Sequence, residues 1–183
     1  LGIYSAARLS TGLTLPNTDS TVGSYAVAKE CSKGKDTPTG HHEIVGYTNP
    51  LGWYTFPKVV PVFPKKEMDM LMQEAKVTGF LGNKHASGED IVKEYGESHL
   101  DNGCPIVYTS ADSVVQIAAH EQVFGLDRLY ETCKIAAEIF NNLRVQRIIA
   151  RPFLGGNKAD FFRTKNRQDF ILPPPIHTLC DKV

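Results

Sequence analysis

Three stretches of the sequence concentrate side chains able to do chemistry. In the first, Gly34-Lys35-Asp36-Thr37-Pro38-Thr39-Gly40-His41, a threonine hydroxyl is flanked by Asp36 and His41 and by glycines that let the backbone approach a ligand. A threonine is a poor nucleophile until a base or metal ion lowers its pKa, and Asp and His are residues that hold such ions. The stretch fails the P-loop pattern, which ends in Gly-Lys-Ser/Thr, and a polar turn is the plainer reading. The second, Tyr108-Thr109-Ser110-Ala111-Asp112-Ser113, closes an apolar run with short hydroxyl and carboxylate groups. Such groups hydrogen-bond a sugar, although their commoner use is to build turns and caps. The third is Arg151-Pro152-Phe153, followed by Arg163, Lys165 and Arg167. Guanidinium groups grip phosphate through paired hydrogen bonds, so these residues read as a phosphate clamp or, with equal weight, as a solvated loop.

Histidines and cysteines add no centre of their own. His41 and His42 are adjacent, His85, His99, His120 and His177 are scattered, and none makes a His-x-x-x-His spacing, so no complete metal site is expected from them. Cys31, Cys104, Cys133 and Cys180 contain no Cys-x-x-Cys pair and read as free thiols of a reducing cytoplasm. The 20 Lys and Arg balance 20 Asp and Glu, which leaves no long-range field to collect a polyanion and argues against nucleic acid or a membrane surface as partner. No apolar run approaches the roughly 20 residues that span a bilayer. With 183 residues, 42% of them hydrophobic, the chain has material for a core without crosslinks and for one domain or one and a half. It opens on Leu1-Gly2 rather than Met, with no signal peptide, and is expected to be a piece of a longer protein.

The elements that must position these groups are punctuated by proline and glycine. Residues 1–15 give only weak signals. A turn is expected at Pro16-Asn17-Thr18-Asp19, a short strand at 25–28, a polar loop at 32–42 and a second apolar piece at 44–47. Residues 49–64, with Trp53 among three prolines, read as extended or irregular. Pro64 opens a helix with Met68, Leu71, Met72 and Ala75 on one face, and Ser87 with Asp90 opens another that ends at Asn102-Gly103. Residues 105–109 form a strand, 114–118 are ambiguous, 127–143 form the clearest helix, 145–150 return as a strand, and 155–169 are a polar loop. The expected fold is α+β, a small sheet covered on one face by about three helices.

Taken in order, the motifs resemble those of phosphopentomutases. The matching pieces are GKDTPTGHHEI from Gly34, LGNKHASG from Leu81, IVYTSADSVVQIAAHE from Ile106, IIARPFLG from Ile148 and FFRTKNRQDF from Phe161, and they cover most of the chain. The resemblance implies an enzyme of the alkaline-phosphatase superfamily that interconverts ribose or deoxyribose 1-phosphate with the 5-phosphate. It divides the chain into a core-derived segment with the nucleophile loop (1–47), an α+β cap domain that binds substrate (48–172) and a return segment (173–183). Thr37 resembles the residue phosphorylated in the cycle, and its hydroxyl an atom that meets the metal. Ser110, Asp112 and the backbone at Val114 resemble sugar contacts, and Arg151 and Arg167 the clamp on the distal phosphate. His42 stands where the family commonly has Trp, and Gln168 and Phe170 where it often has His and Tyr.

The same resemblance implies two divalent ions, manganese in the family, with their other ligands outside this chain, and a sugar bisphosphate primer such as glucose 1,6-bisphosphate. Pentose phosphates are the partners it implies, and by itself the chain is expected to be inactive. Two other readings stand beside it: a non-catalytic sugar-phosphate-binding module, and another metal-dependent phosphotransferase of the superfamily, for which a serine in place of Thr37 would have spoken.

Overall fold

The computed structural model describes residues 2–13, 23–34, 36–110 and 112–183. Its helices are α1 (Ile3–Thr11), α2 (Thr37–Ile44), α3 (Lys65–Glu74), α4 (Gly88–Asn102) and α5 (Leu126–Asn141). Its strands are β1 (Leu81–His85), β2 (Ile106–Thr109), β3 (Val114–His120), β4 (Arg147–Leu154), β5 (Phe162–Arg163) and β6 (Gln168–Ile171). They form one mixed sheet in the order β1-β2-β3-β4-β5, with β6 also paired to β4. The class is α+β, as the sequence leads one to expect. None of the helices is long and apolar enough to cross a membrane.

The helices cover both faces of the sheet rather than one, and the connections explain why. β1-α4-β2 and β3-α5-β4 each join parallel neighbours and step the same way along the sheet, while β2 and β3 are antiparallel. A right-handed crossover fixes the face its helix covers. Reversing the strand direction while keeping the step therefore sends the second helix to the opposite face. α3 and α5 pack on Val107, Val115, Ile117, Ile148 and Ala150, and α4 packs on the alternate residues Ile106, Tyr108 and Ala118. α4 lies over β1, β2 and β3. Beyond it, this same face carries Gln116, Arg147, Arg151 and Asp169, set by the registers Tyr108↔Gln116, Ala118↔Arg151 and Ile149↔Asp169.

Irregular residues 49–64 are anchored by aromatic packing and side-chain caps. Phe56 and Phe63 meet edge to face at 4.7 Å between ring centroids, and both pack on Phe140 of α5. Asn83 Oδ1 accepts the Val62 and Phe63 amides at 3.0 and 2.8 Å. Their backbone polar groups thus find partners without a sheet ladder.

Further expectations from sequence are corrected. Residues 25–28 form no strand, because no described strand edge pairs with them, and Tyr25 and Val27 are exposed. The loop expected at 32–42 turns helical at Thr37, where Asp36 caps and Pro38 suits the first turn, and Ile44 is the end of that helix rather than a separate piece. The loop at 155–169 contains β5, and β6 starts within it at Gln168; both return to the free edge of β4. β4 itself runs past Ala150 to Leu154. Pro152, which has no N–H, is tolerated there because it lies between the β6 pairing, which ends at Ala150, and the β5 pairing, which begins at Phe153. The turn expected at Pro16-Asn17-Thr18-Asp19 lies outside the described residues. The helix starts at Pro64 and Ser87 and the stop at Gly103 are as read.

His99, fully buried in α4, makes folding sensitive to acid. Its Nδ1–H donates to the Cys104 carbonyl at 2.7 Å and its Nε2 accepts the His120 amide at 2.9 Å, so the neutral ring is fully used. Burial holds its pKa below the ordinary 6.5. Burial lowers His42 as well. Above about pH 6.5 both folded and unfolded forms are neutral and the stability is complete. Below it the unfolded chain takes up protons first, so the denaturation midpoint should fall steadily as the pH drops below about 6.5. Urea titrations across that window are the check, and the slope should flatten in a His99→Gln variant.

Candidate active site

Of the two threonines in Asp36-Thr37-Pro38-Thr39, the fold leaves one free. Thr39 is fully buried: its hydroxyl donates to the Asp36 carboxylate and accepts from Trp53 Nε1 at 2.7 Å. Asp36 also accepts the Thr39 amide at 3.0 Å, as the N-cap of α2, and a hydrogen bond from Gln146 Nε2. A Cβ at Gly34 would collide with the Thr39 side chain, which is why the chain passes here as glycine. Arg144 Nη2 donates to the Gly52 carbonyl at 3.1 Å, and its guanidinium stands 5.8 Å from the Trp53 ring centroid. Thr37, by contrast, is exposed in the first turn of α2, one helical turn from His41. That turn presents the positive end of the helix.

The loop from Thr109 to Val114 is closed from within. The Thr109 hydroxyl donates to the Val114 carbonyl at 2.6 Å, the Val114 amide donates to the Asp112 carbonyl at 2.9 Å, and Ser113 Oγ accepts the Gln146 amide at 3.1 Å. Ser110 is half-buried and Asp112 exposed. Val114 is buried with its backbone already engaged. A cavity of about 240 Å³ lies between this loop and the Asp36 segment, lined by Asp36, Trp53, Thr55, Asp112 and Ser113. Two of the three stretches singled out in the sequence are thus brought to one cavity.

The third builds its own. Arg151, Arg163, Lys165 and Arg167 line a cavity of about 370 Å³ with Pro152 and Thr164. It opens where the partner of β4 changes from β6 to β5, so that residues 164–167 swing away from the sheet edge. Arg151 is half-buried, with Nε donating to Gln116 Oε1 at 2.9 Å. Burial, together with Arg167 and Arg163, pulls its pKa down. Arg167 forms two 2.6 Å bonds to Asp169, which raise its pKa. Glu121 Oε1 accepts from the Thr164 hydroxyl and from Asn166 Nδ2, and Tyr130 donates to the Asn166 carbonyl at 2.7 Å, fixing the loop between the basic residues. The two cavities are bridged by Arg147, 4.0 Å from Asp112 and 3.4 Å from Asp169.

Among the described residues no three His, Cys, Asp or Glu side chains come together as a metal site. Asp36, beside Thr37, is taken by Thr39 and Gln146. The residues present do not compose the two-ion centre that the resemblance implies. Sequence reading missed Trp53, Gln116, Gln146, Arg147 and Asp169. Arg147 and Arg151 alternate with apolar residues in one strand and so share its face, a period-two signal visible in the sequence. Gln116 and Gln146 carried none, since their partners lie far along the chain.

Comparison with known proteins agrees with the motifs. No protein-family model matches the chain. Curated proteins named phosphopentomutase do. The one from Chelativorans sp. (strain BNC1) is 46% identical over 183 residues, all of this chain and 45% of the relative. The one from Pseudoalteromonas translucida is 48% identical over 165 residues, 90% of this chain and 41% of the relative. That from Chromohalobacter salexigens is 48% identical over 188 aligned positions, all of this chain and 44% of the relative. The chain thus spans a little under half the length of the relatives it matches. On identity of this level along its whole length, the chain belongs to the phosphopentomutase family.

Proposed function

We propose that the protein moves a phosphoryl group between the 1- and 5-oxygens of ribose or deoxyribose, through a phosphothreonine at Thr37 and a pentose 1,5-bisphosphate, with residues 48–172 as the substrate-covering cap. The observation that carries this reading is the cavity lined by Arg151, Arg163, Lys165 and Arg167, with no carboxylate in its lining. Planar, always-charged guanidinium groups suit a phosphomonoester dianion. A reaction that exchanges the two ends of a pentose needs a site that holds whichever phosphate is not reacting, and a clamp of arginines serves both. Ser110 and Asp112, on the accessible side of their loop, would take the sugar hydroxyls. Val114, whose backbone is engaged inside the chain, would hold that loop in shape.

Thr37 is the candidate acceptor because Thr39 and Asp36 are committed to each other while Thr37 stands free at the positive end of α2. A phosphoryl group on its oxygen would gain from that dipole. The divalent ions implied by the resemblance, manganese in the family, would draw their ligands from outside the described residues, and a sugar bisphosphate such as glucose 1,6-bisphosphate would load the threonine. The cytoplasm is the compartment we assign, a reading supported by the free state of all four cysteines. Calorimetric titration tests the reading: ribose 5-phosphate should bind at least about a hundredfold more tightly than ribose, the worth of two charge-assisted contacts. Equal affinity for the two would overturn it.

A further inference from the structure

Among the described residues Tyr108 is the largest side chain wholly withdrawn from solvent; Arg151 is the one group in hydrogen-bonding contact with its oxygen, and its hydroxyl proton has no acceptor. An unsatisfied buried hydroxyl is costly, and phenylalanine would fill the same space without that cost. The surroundings indicate what the group is for. Tyr108 stands on β2, on the sheet face that carries Gln116 and Arg151, and Arg151, Arg163 and Arg167 all act on it electrostatically. Burial outweighs their pull and pushes the phenol above its ordinary pKa, so it keeps its proton. Guanidinium groups only donate; they can serve the lone pairs of the oxygen but never accept that proton. The hydroxyl is therefore a donor placed among cations, a setting completed by an anion.

Arg163 stands beside it at the start of α4. A Cβ at Gly88 would stand 2.6 Å from the Tyr108 oxygen and 3.1 Å from Arg163 Nη1, so hydroxyl and guanidinium close on the same stretch of backbone and lie near each other, an approach that the missing side chain permits. Arg163 Nη2 is held meanwhile by Glu89 at 3.0 Å, a carboxylate that is 69% exposed. Surface pairs of this kind are weak and screened. A phosphate dianion is the stronger partner for the same guanidinium.

We propose that Tyr108 is a substrate-binding residue, whose hydroxyl donates to the phosphate of the bound sugar phosphate when Arg163 exchanges Glu89 for that phosphate. The inference rests on the reading of the Arg151 and Arg167 cavity as the phosphate site. No bond is made or broken; the change is one of hydrogen-bond partners.

Tyr108→Phe in the full-length protein is the test, with ribose 5-phosphate and inorganic phosphate as probes. Affinity for both should fall about three- to tenfold, the net worth of one hydrogen bond. The melting temperature of the unliganded variant should stay level, since the hydroxyl proton had no acceptor to lose and the ring that fills the site is kept. Unchanged affinity, with or without a loss of stability, would overturn the proposal and leave the hydroxyl a structural one. Glu89→Gln should tighten phosphate binding by freeing Arg163; unchanged or weaker binding would overturn the exchange. Arg151→Ala separates the two levels. If it too leaves binding untouched, the cavity is not the phosphate site and the underlying reading falls. If it abolishes binding while Tyr108→Phe does not, only the present inference falls.

Discussion

Replacing Arg151 by alanine should weaken binding of ribose 5-phosphate by one to two orders of magnitude, the largest effect expected from any single side chain of the basic cavity. A charge-assisted hydrogen bond contributes about 1.5–3 kcal/mol, and Arg151 is placed to deliver the upper part of that range. It is half-buried, and Gln116 fixes its Nε, so little side-chain entropy remains to be lost on binding. Arg167→Ala should cost less. That guanidinium already holds Asp169 through two short bonds, and a phosphate must compete with the carboxylate for it. The order, Arg151 before Arg167, is thus a consequence of partners rather than of charge. In turnover the Arg151 loss should appear as a raised KM, with kcat falling too if the contact tightens in the transition state. Lysine at position 151 should restore only part of the affinity, because it keeps the charge and loses the planar fork. A solvent-facing arginine predicts a change within about 0.5 kcal/mol for either substitution, and that result would remove the clamp.

How far the sequence carried these conclusions depended on whether the deciding contacts are local. The helix beginning after Pro64 and the one between Ser87 and Gly103 are specified by residues within one turn of their ends, and both stand as read. Residues 25–28 are apolar enough for a short strand, but a strand exists only where a ladder partner does, and no local pattern supplies one. β5 and β6 fail in the opposite sense. Arg163 and Gln168 are polar and look like loop, yet they pair with the edge of β4, where one face is open and charge is tolerated. The site shows the same division. Thr37, Asp112, Arg151 and Arg167 could be singled out as candidates because the chemistry proposed for them is carried by their own side chains. Gln146 and Gln116 could not, because a glutamine acquires meaning only from a partner, and Gln146 reaches Asp36 across 110 residues.

Thr37→Ala should abolish uptake of a phosphoryl group from a sugar bisphosphate while leaving the fold unchanged. The second half of that statement follows from the geometry: Thr37 is exposed, and alanine is a good residue for the first turn of a helix whose cap is Asp36 and whose anchor is Thr39. The melting temperature should therefore hold. The first half follows from exclusion. Thr39 is the other hydroxyl of the segment, but its oxygen lies buried between Asp36, Trp53 and Gln146, with no room for the in-line approach of a phosphate. Moving the reaction there would mean breaking the cap that forms the helix. Measured in the full-length protein with labelled bisphosphate and manganese, Thr37→Ala should remain unlabelled while the unaltered protein is labelled. Thr39→Val should instead lose stability, by about 1–3 kcal/mol for the unpaired Asp36 and Trp53 groups it leaves behind. Label incorporated by Thr37→Ala would assign the nucleophile elsewhere. A stable, unlabelled Thr39→Val variant would reverse the two roles.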